Sequence, residues 1–77
     1  MSKQNVNVLV RLINALDPVR RSSLMQTLGR LAGVKNAAVS HRNERLLLVD
    51  YDPSATSAQR ILATVRGRGI DARLIGL

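Results

Sequence analysis

The feature that most constrains the fold is a short internal sequence repeat, with one copy in each half of the chain. A block reading L-M-x-T-L in the first half recurs in the second half as I-L-x-T-V. A glycine followed by an aliphatic residue comes after each block, at Gly33–Val34 and at Gly69–Ile70. The apolar residues of each block have helical spacing, and strand-like stretches flank both blocks. The matching residues are Leu24, Met25, Thr27 and Leu28 in the first block and Ile61, Leu62, Thr64 and Val65 in the second.

The first half combines an alternating strand with a capped helix. Every second residue over 6–12 is aliphatic, which predicts a half-buried strand. Asp17 suits the N-cap of the helix, and Pro18 suits its first position, where no N–H is needed. Gly33 can adopt the left-handed backbone conformation that commonly ends a helix. The apolar face of this helix is expected to consist of Val19, Leu24, Leu28 and Leu31.

Two strands joined by a short turn are expected next. The second strand should run from about Ala37 to His41, and Arg42–Asn43 resembles a tight hairpin turn because Asn tolerates a positive φ. The third strand, Arg45 to Tyr51, is apolar on both faces, which indicates a central place in the sheet. Asp52–Pro53 should end that strand, because proline cannot donate to a ladder.

A second helix and a last strand complete the pattern. Thr56 or Ser57 should cap the helix, and Thr56 with Gln59 fits a capping box. Its apolar face should be Ile61, Leu62 and Val65, Gly69 should end it, and the last strand should run from Asp71 to Ile75.

The order β-α-β-β-α-β predicts an α+β fold, the ferredoxin-like sandwich. Two helices would cover one face of a four-stranded antiparallel sheet and leave the other face open. At 77 residues the chain should form a single domain with a thin core, over residues 6–77, after a flexible N-terminus at 1–5.

Composition excludes several classes of function. The chain has no cysteine, so it has neither thiolate metal ligands nor a cysteine nucleophile. It has no apolar run of membrane-spanning length and no apolar signal core at its start, so we expect a cytoplasmic protein. We expect no catalytic residues, since no nucleophile lies beside a base and no phosphate loop is present.

Motifs in the second part of the chain resemble those of the heavy-metal-associated domain, which is found in copper chaperones and in metal ATPases. GVKNAAV (Gly33 to Val39) is similar to the family's Gly-Val-x-x-Val/Ala-x-Val. LLVDYDPSATSAQRILATVRGRGIDA (Leu47 to Ala72) is similar to its V-x-V-x-Y-D-P, capping Ser/Thr, I-x-x-x-I and G-Y-x-A. The resemblance covers roughly Val6 to Leu77 and implies the same ferredoxin-like fold.

The family's metal-binding residues are missing. Its members bind soft metals with Met-x-Cys-x-x-Cys at the start of the first helix. Counting back from Gly33–Val34 places the two cysteine positions at Pro18 and Arg21, and the methionine position at Leu16. Proline has no donor atom, and arginine is a fixed cation. We therefore expect no metal and no cofactor at this place.

A group of arginines is the candidate replacement for the metal site. In this fold the first loop and the loop after the second helix lie side by side, so Arg20 and Arg21 should approach Arg66 and Arg68. With the free N–H groups of the helix they could bind an anion or an acidic side chain of a partner. Asp17 opposes a deep pocket, since it would cap those N–H groups. Solvated arginines that lie over apolar neighbours are the simpler interpretation.

Other polar residues are weaker candidates. His41, the only histidine, is expected to be an exposed turn residue. Asp50 and Asp52 could hold a hard cation, although Asp52 more simply fixes the Asp-Pro turn and Asp50 pairs with a basic neighbour. Tyr51 should pack inward.

Several functions stay open from the sequence. The first is a binding module for an acidic protein surface or a transporter domain. A second is self-association through the last strand, expected at an edge. A third is a metal carrier with non-cysteine ligands. The net charge of +7 predicts nonspecific, salt-sensitive adhesion to nucleic acid, but one tyrosine is too few aromatics for sequence-specific RNA binding.

Overall fold

The computed structural model describes residues 5–75 and contains six secondary-structure elements. Residues 1–4 and 76–77, which include most of the N-terminal segment expected at 1–5, lie outside the described part. In chain order the elements are β1 (Val6–Leu12), α1 (Pro18–Arg30), β2 (Val34–Val39), β3 (Leu46–Tyr51), α2 (Ala58–Arg66) and β4 (Ala72–Ile75). No helix within residues 5–75 is both long enough and apolar enough to cross a membrane.

The four strands form one antiparallel sheet in the order β2-β3-β1-β4, which confirms the ferredoxin-like fold class. As predicted from its two apolar faces, β3 lies inside the sheet, between β2 and β1. β4 lies at an edge, also as predicted, and β2 forms the other edge.

One aliphatic core lies between the sheet and the helices. Leu24 and Leu28 of α1 are fully buried there. The expected face of α2 is confirmed, since its buried residues are Ile61, Leu62 and Val65. The strands contribute Val8, Val10, Leu12, Leu47, Val49 and Ala72 to the same core.

Val19 was wrongly assigned to the apolar face of α1. Its side chain is 79% exposed. Val19 precedes Leu24 by five positions, which places it about 140° away around the helix axis. It therefore lies outside the stripe that Leu24 and Leu28 form.

The predicted bounds around β2 need correction. The strand begins at Val34 and ends at Val39, so it starts before Ala37, and His41 lies beyond it. Gly33 has φ 90°, which turns the chain from α1 directly into the strand. The Arg42–Asn43 hairpin with positive φ is wrong, because no non-glycine residue in 5–75 has a positive φ. Instead the Asn43 side chain accepts a hydrogen bond from the Arg45 N–H (2.9 Å) in a longer loop, and β3 starts at Leu46.

The structure decides between the two residues predicted to cap the N-terminus of α2. Ser57 is the N-cap, and its side chain accepts a hydrogen bond from the Arg60 N–H at 3.1 Å. The capping box of Thr56 with Gln59 is wrong, since Thr56 is buried and its Oγ1 has no hydrogen-bond partner among the described residues. The helix ends at Arg66, and Gly69 adopts a positive φ three residues later.

Gly33 and Gly69 provide a matched test of how closely the two halves pack. Both have positive φ, which costs other residues about 1–2 kcal/mol. A Cβ at Gly33 would also lie 2.9 Å from Ala55 Cβ and from Thr56 Cγ2, whereas a Cβ at Gly69 would meet nothing within 4 Å.

We expect Gly33→Ala to lower the free energy of unfolding by about 1–3 kcal/mol more than Gly69→Ala does, because overpacking adds to the backbone cost. Urea unfolding followed by circular dichroism measures both variants. Equal losses of stability in the two variants would show that Gly33 packs less tightly against residues 55–56 than the structure indicates.

Candidate functional site

The loop before α1 and the loop before β4 lie side by side, as the fold predicted. The Ile13 N–H donates to the Asp71 carbonyl at 3.0 Å. A small cavity of about 100 Å³ lies between residues 14–16 of one loop and residues 69–71 of the other. Together with the first turn of α1, these loops form the region that we call the helix mouth.

Asp17 caps the helix at this mouth. Its Oδ1 accepts a hydrogen bond from the Arg20 N–H at 2.8 Å, and Pro18 occupies the first helical turn. The first turn contains no acidic residue. The carboxylate of Asp17 therefore takes up one of the N–H groups that an external anion could have used.

Arg20 and Arg68 meet at one cavity of about 200 Å³, lined also by Val19, Ser23 and Ile70. The Arg68 Nη2 donates to Ser23 Oγ at 2.6 Å, which ties the loop after α2 to helix α1. Arg20 and Asp71 both line the smaller cavity of about 100 Å³ between the two loops. The mouth thus places the two arginines beside two acidic residues, Asp17 and Asp71.

The structure does not bring Arg21 and Arg66 into that cavity. The Arg21 Nη1 lies 3.6 Å from Glu44 Oε1, in an ion pair whose glutamate side chain is 68% exposed. Such exposed pairs contribute little to stability. The Arg66 Nε donates to the Ala72 carbonyl at 3.1 Å, on β4. A binding role for any of the four arginines remains a prediction.

The residues of the mouth do not suit a soft metal. Residues 14–21 contain no sulfur atom, and Met25 packs against the core instead. Cu(I) requires thiolate or thioether ligands. Within 5–75 no group of three or more His, Cys, Asp or Glu side chains could hold a metal ion. His41 is exposed in the loop after β2, as expected.

The two aspartates at the end of β3 have different surroundings. Asp52 fixes the Asp-Pro turn as expected, since its Oδ1 accepts hydrogen bonds from the Ser54 N–H (2.9 Å) and Oγ (2.7 Å). Within residues 5–75 no ion pair of Asp50 with a basic residue is found. Its ladder partners are Asn7 and Asn36, and its buried Oδ1 has no hydrogen-bond partner among the described residues.

Sequence reasoning missed a second basic group, on the sheet face that the helices leave open. Arg11 of β1 and Arg73 of β4 stand directly opposite each other in the ladder. Together with Arg45 and Ile13 they line a cavity of about 350 Å³. The alternation of β1 placed Arg11 on the outward face, but only the register with β4 reveals its neighbour.

Replacing Arg73 with Glu should stabilise the fold, because like charges directly opposite in a ladder destabilise it. We expect Arg73→Glu to raise the free energy of unfolding by about 0.2–1 kcal/mol, and the gain should shrink in high salt. Lys35→Glu, an exposed position of β2, is the control of equal charge change. A loss of stability in Arg73→Glu, or an equal gain in both variants, would contradict the assigned pairing.

Comparisons with known proteins agree on the fold. No family model matches the sequence, and no curated protein matches it. Solved structures do match. The N-terminal domain of a potential copper-translocating P-type ATPase from Bacillus subtilis, in the Cu(I)-loaded state, superposes with a TM-score of 0.83 at 19% identity, over 95% of this chain and 90% of that one.

Two further structures give the same result. A copper-binding domain from HMA7, a P-type ATPase, has a TM-score of 0.80 at 18% identity, over 91% of this chain and 93% of that one. The mercury-bound form of MerP, described as the periplasmic protein of the bacterial mercury detoxification system, has a TM-score of 0.75 at 15% identity, over 95% of this chain and all of that one. The chain has the same ferredoxin-like fold as these domains. At these identities the likeness establishes the fold, while the function depends on the residues described above.

Proposed function

We propose that this chain is a non-catalytic binding module that uses the heavy-metal-associated fold without thiolate metal ligands. It acts through contacts with an acidic protein surface, in a metal-handling or transporter context. The observation that carries this proposal is the helix mouth, where a sulfur-free loop lies beside the guanidinium groups of Arg20 and Arg68.

Charge supports an acidic partner over a metal cation at the mouth. Guanidinium groups stay protonated, repel cations, and form strong hydrogen bonds with carboxylates. Arg68 is positioned by its hydrogen bond to Ser23, so part of its conformational freedom is already lost before binding. The net charge of +7 favours rapid encounter with an acidic surface.

The structural neighbours support the metal-handling context of the proposal. Two of them are domains of P-type ATPases, so a ferredoxin-like domain of a transporter is the partner we propose. We propose the cytoplasm as the compartment; the fold does not decide it, because MerP has the same fold and is described as periplasmic. Self-association through the edge strand β4 stays a second proposal, supported by the place of β4 in the sheet.

The sulfur-free mouth, with its two arginines, predicts no tight binding of Cu(I), Zn(II), Ni(II) or Fe(II). Competition with a chromophoric chelator under reducing conditions measures this, with the Cu(I)-binding Bacillus subtilis domain as the positive control. We expect no uptake at micromolar metal. Tight one-to-one uptake of any of these ions would overturn the proposal in favour of a carrier with non-cysteine ligands.

The basic mouth predicts which charges a partner domain needs. We expect the double variant Arg20→Glu, Arg68→Glu to bind ferredoxin-like domains of P-type ATPases from the same cell at least about tenfold more weakly than the unaltered chain, because both charges at the cavity are reversed. Isothermal titration calorimetry at two salt concentrations measures the dissociation constants.

The control is the double variant Lys35→Glu, Arg60→Glu, which changes the net charge equally at exposed positions away from the mouth. Its binding should weaken far less. An equal loss in both double variants would show that only total charge matters. Absence of binding by the unaltered chain would exclude the proposed transporter domains as partners.

A further inference from the structure

The sheet face opposite the helices presents aliphatic side chains that neither helix covers, of which Leu48 is exposed and Leu9 and Leu46 are half-buried. Leu9, Leu46 and Leu48 share this face, because their neighbours Val8, Val10, Leu47 and Val49 point into the core. Leu48 is 42% exposed. A shallow groove of about 450 Å³ runs over these leucines and Ala38 toward the His41–Arg42 loop.

The basic cluster of Arg11, Arg45 and Arg73 continues this groove along β1. Arg11 follows Leu9 by two residues on the same strand face, a distance of about 7 Å. The Arg45 Nη1 donates to the Ile13 carbonyl at 3.4 Å, which holds its guanidinium near the end of β1. Aliphatic and cationic surfaces are therefore contiguous on one face.

No carboxylate of the described residues lines the cavity of the basic cluster. Glu44 is adjacent to Arg45 in sequence, but its carboxylate lies beside Arg21. Asp50 is on the same sheet face at the opposite end, opposite Asn7, about 13 Å along the strand from Leu46. Asp71 precedes Arg73 by two residues but lines the small cavity of the helix mouth, so no carboxylate within residues 5–75 shares the cavity of the three arginines.

We propose that the open sheet face binds a short acidic protein segment in which aliphatic residues are followed by carboxylates. The aliphatic side chains lie over Leu9, Leu46 and Leu48, and the carboxylates reach Arg11, Arg45 and Arg73. Burial of Leu48 and of the exposed parts of Leu9 and Leu46 supplies apolar contact area, and the carboxylates relieve the repulsion between the arginines. An extended segment of about six residues is long enough to span both surfaces.

Two other occupants fit this face less well. A second copy of the chain would bring two sets of three arginines together on a molecule of net charge +7. Single-stranded nucleic acid satisfies the arginines, but its bases need aromatic side chains on which to stack. The only tyrosine, Tyr51, packs against the core, and the chain has no Phe or Trp.

The probe is a peptide of three leucines and three aspartates with blocked termini, titrated into the ¹⁵N-labelled chain and followed by NMR. We expect shifts concentrated at the amides of Leu9, Arg11, Leu46, Leu48 and Arg73. Replacing the aspartates with lysines should abolish binding, and replacing the leucines with serines should weaken it at least threefold. A ten-nucleotide oligo-dT is titrated in parallel.

The triple variant Arg11→Gln, Arg45→Gln, Arg73→Gln should bind the peptide at least tenfold more weakly. Its control, Arg30→Gln, Lys35→Gln, Arg60→Gln, removes the same charge at exposed positions outside both basic regions and should bind as the unaltered chain does. If the first triple variant fails to fold, single Arg73→Gln and Leu48→Ser variants replace it, each with an expected loss of at least threefold.

Three outcomes would overturn the proposal: equal losses in the two triple variants, shifts confined to the helix mouth, or tighter binding of oligo-dT than of the peptide at these residues. The last outcome would assign the face to nucleic acid. The proposal uses different arginines from the helix-mouth function, so either can fail while the other stands.

Discussion

The pairing of β1 with β3 at the centre of the sheet determines both faces of this molecule. In this register Val8 lies opposite Val49 and Val10 opposite Leu47, and these side chains form the centre of a core that both helices cover. Because side chains alternate, the same register places Leu9 beside Leu48 and Arg11 beside Leu46 on the open face. A slip of one residue would exchange the two faces, so the core also fixes where the arginines lie.

Local signals in the sequence were sufficient to predict the elements and the fold, while the candidate sites depended on distant contacts. Asp17, Pro18 and Gly33 mark α1 within a few residues of its ends, and the apolar run of β3 indicates its inner position. The choice between Thr56 and Ser57 as cap could not be made locally, because both side chains can accept the hydrogen bond. The cluster of Arg11 with Arg73 depends on the register of β4, and the directions of Arg21 and Arg66 depend on Glu44 and Ala72.

The arginines are placed where they lower the stability of the fold, and this placement is consistent with binding to an anionic partner. A chain of this length buries a small core, yet it holds Arg11 opposite Arg73 and places Arg20 and Arg21 in the first turn of α1, where the helix dipole favours acidic residues. Ion pairing compensates little, since the glutamate side chain of the Arg21–Glu44 pair is 68% exposed. An anionic partner would relieve these repulsions and gain binding free energy from doing so.

The two basic regions meet at the end of β1. Ile13 lines the arginine cluster of the sheet face, and the next residue, Asn14, lines the small cavity of the helix mouth. The hydrogen bond from the Ile13 N–H to the Asp71 carbonyl holds this junction between the two loops. A large acidic partner docked at the mouth could therefore extend onto the sheet face. Asp71 is the acidic residue that it would pass between the two regions. Reversing charges in the helix mouth and in the arginine cluster of the sheet face, one region at a time, distinguishes one continuous interface from two independent ones.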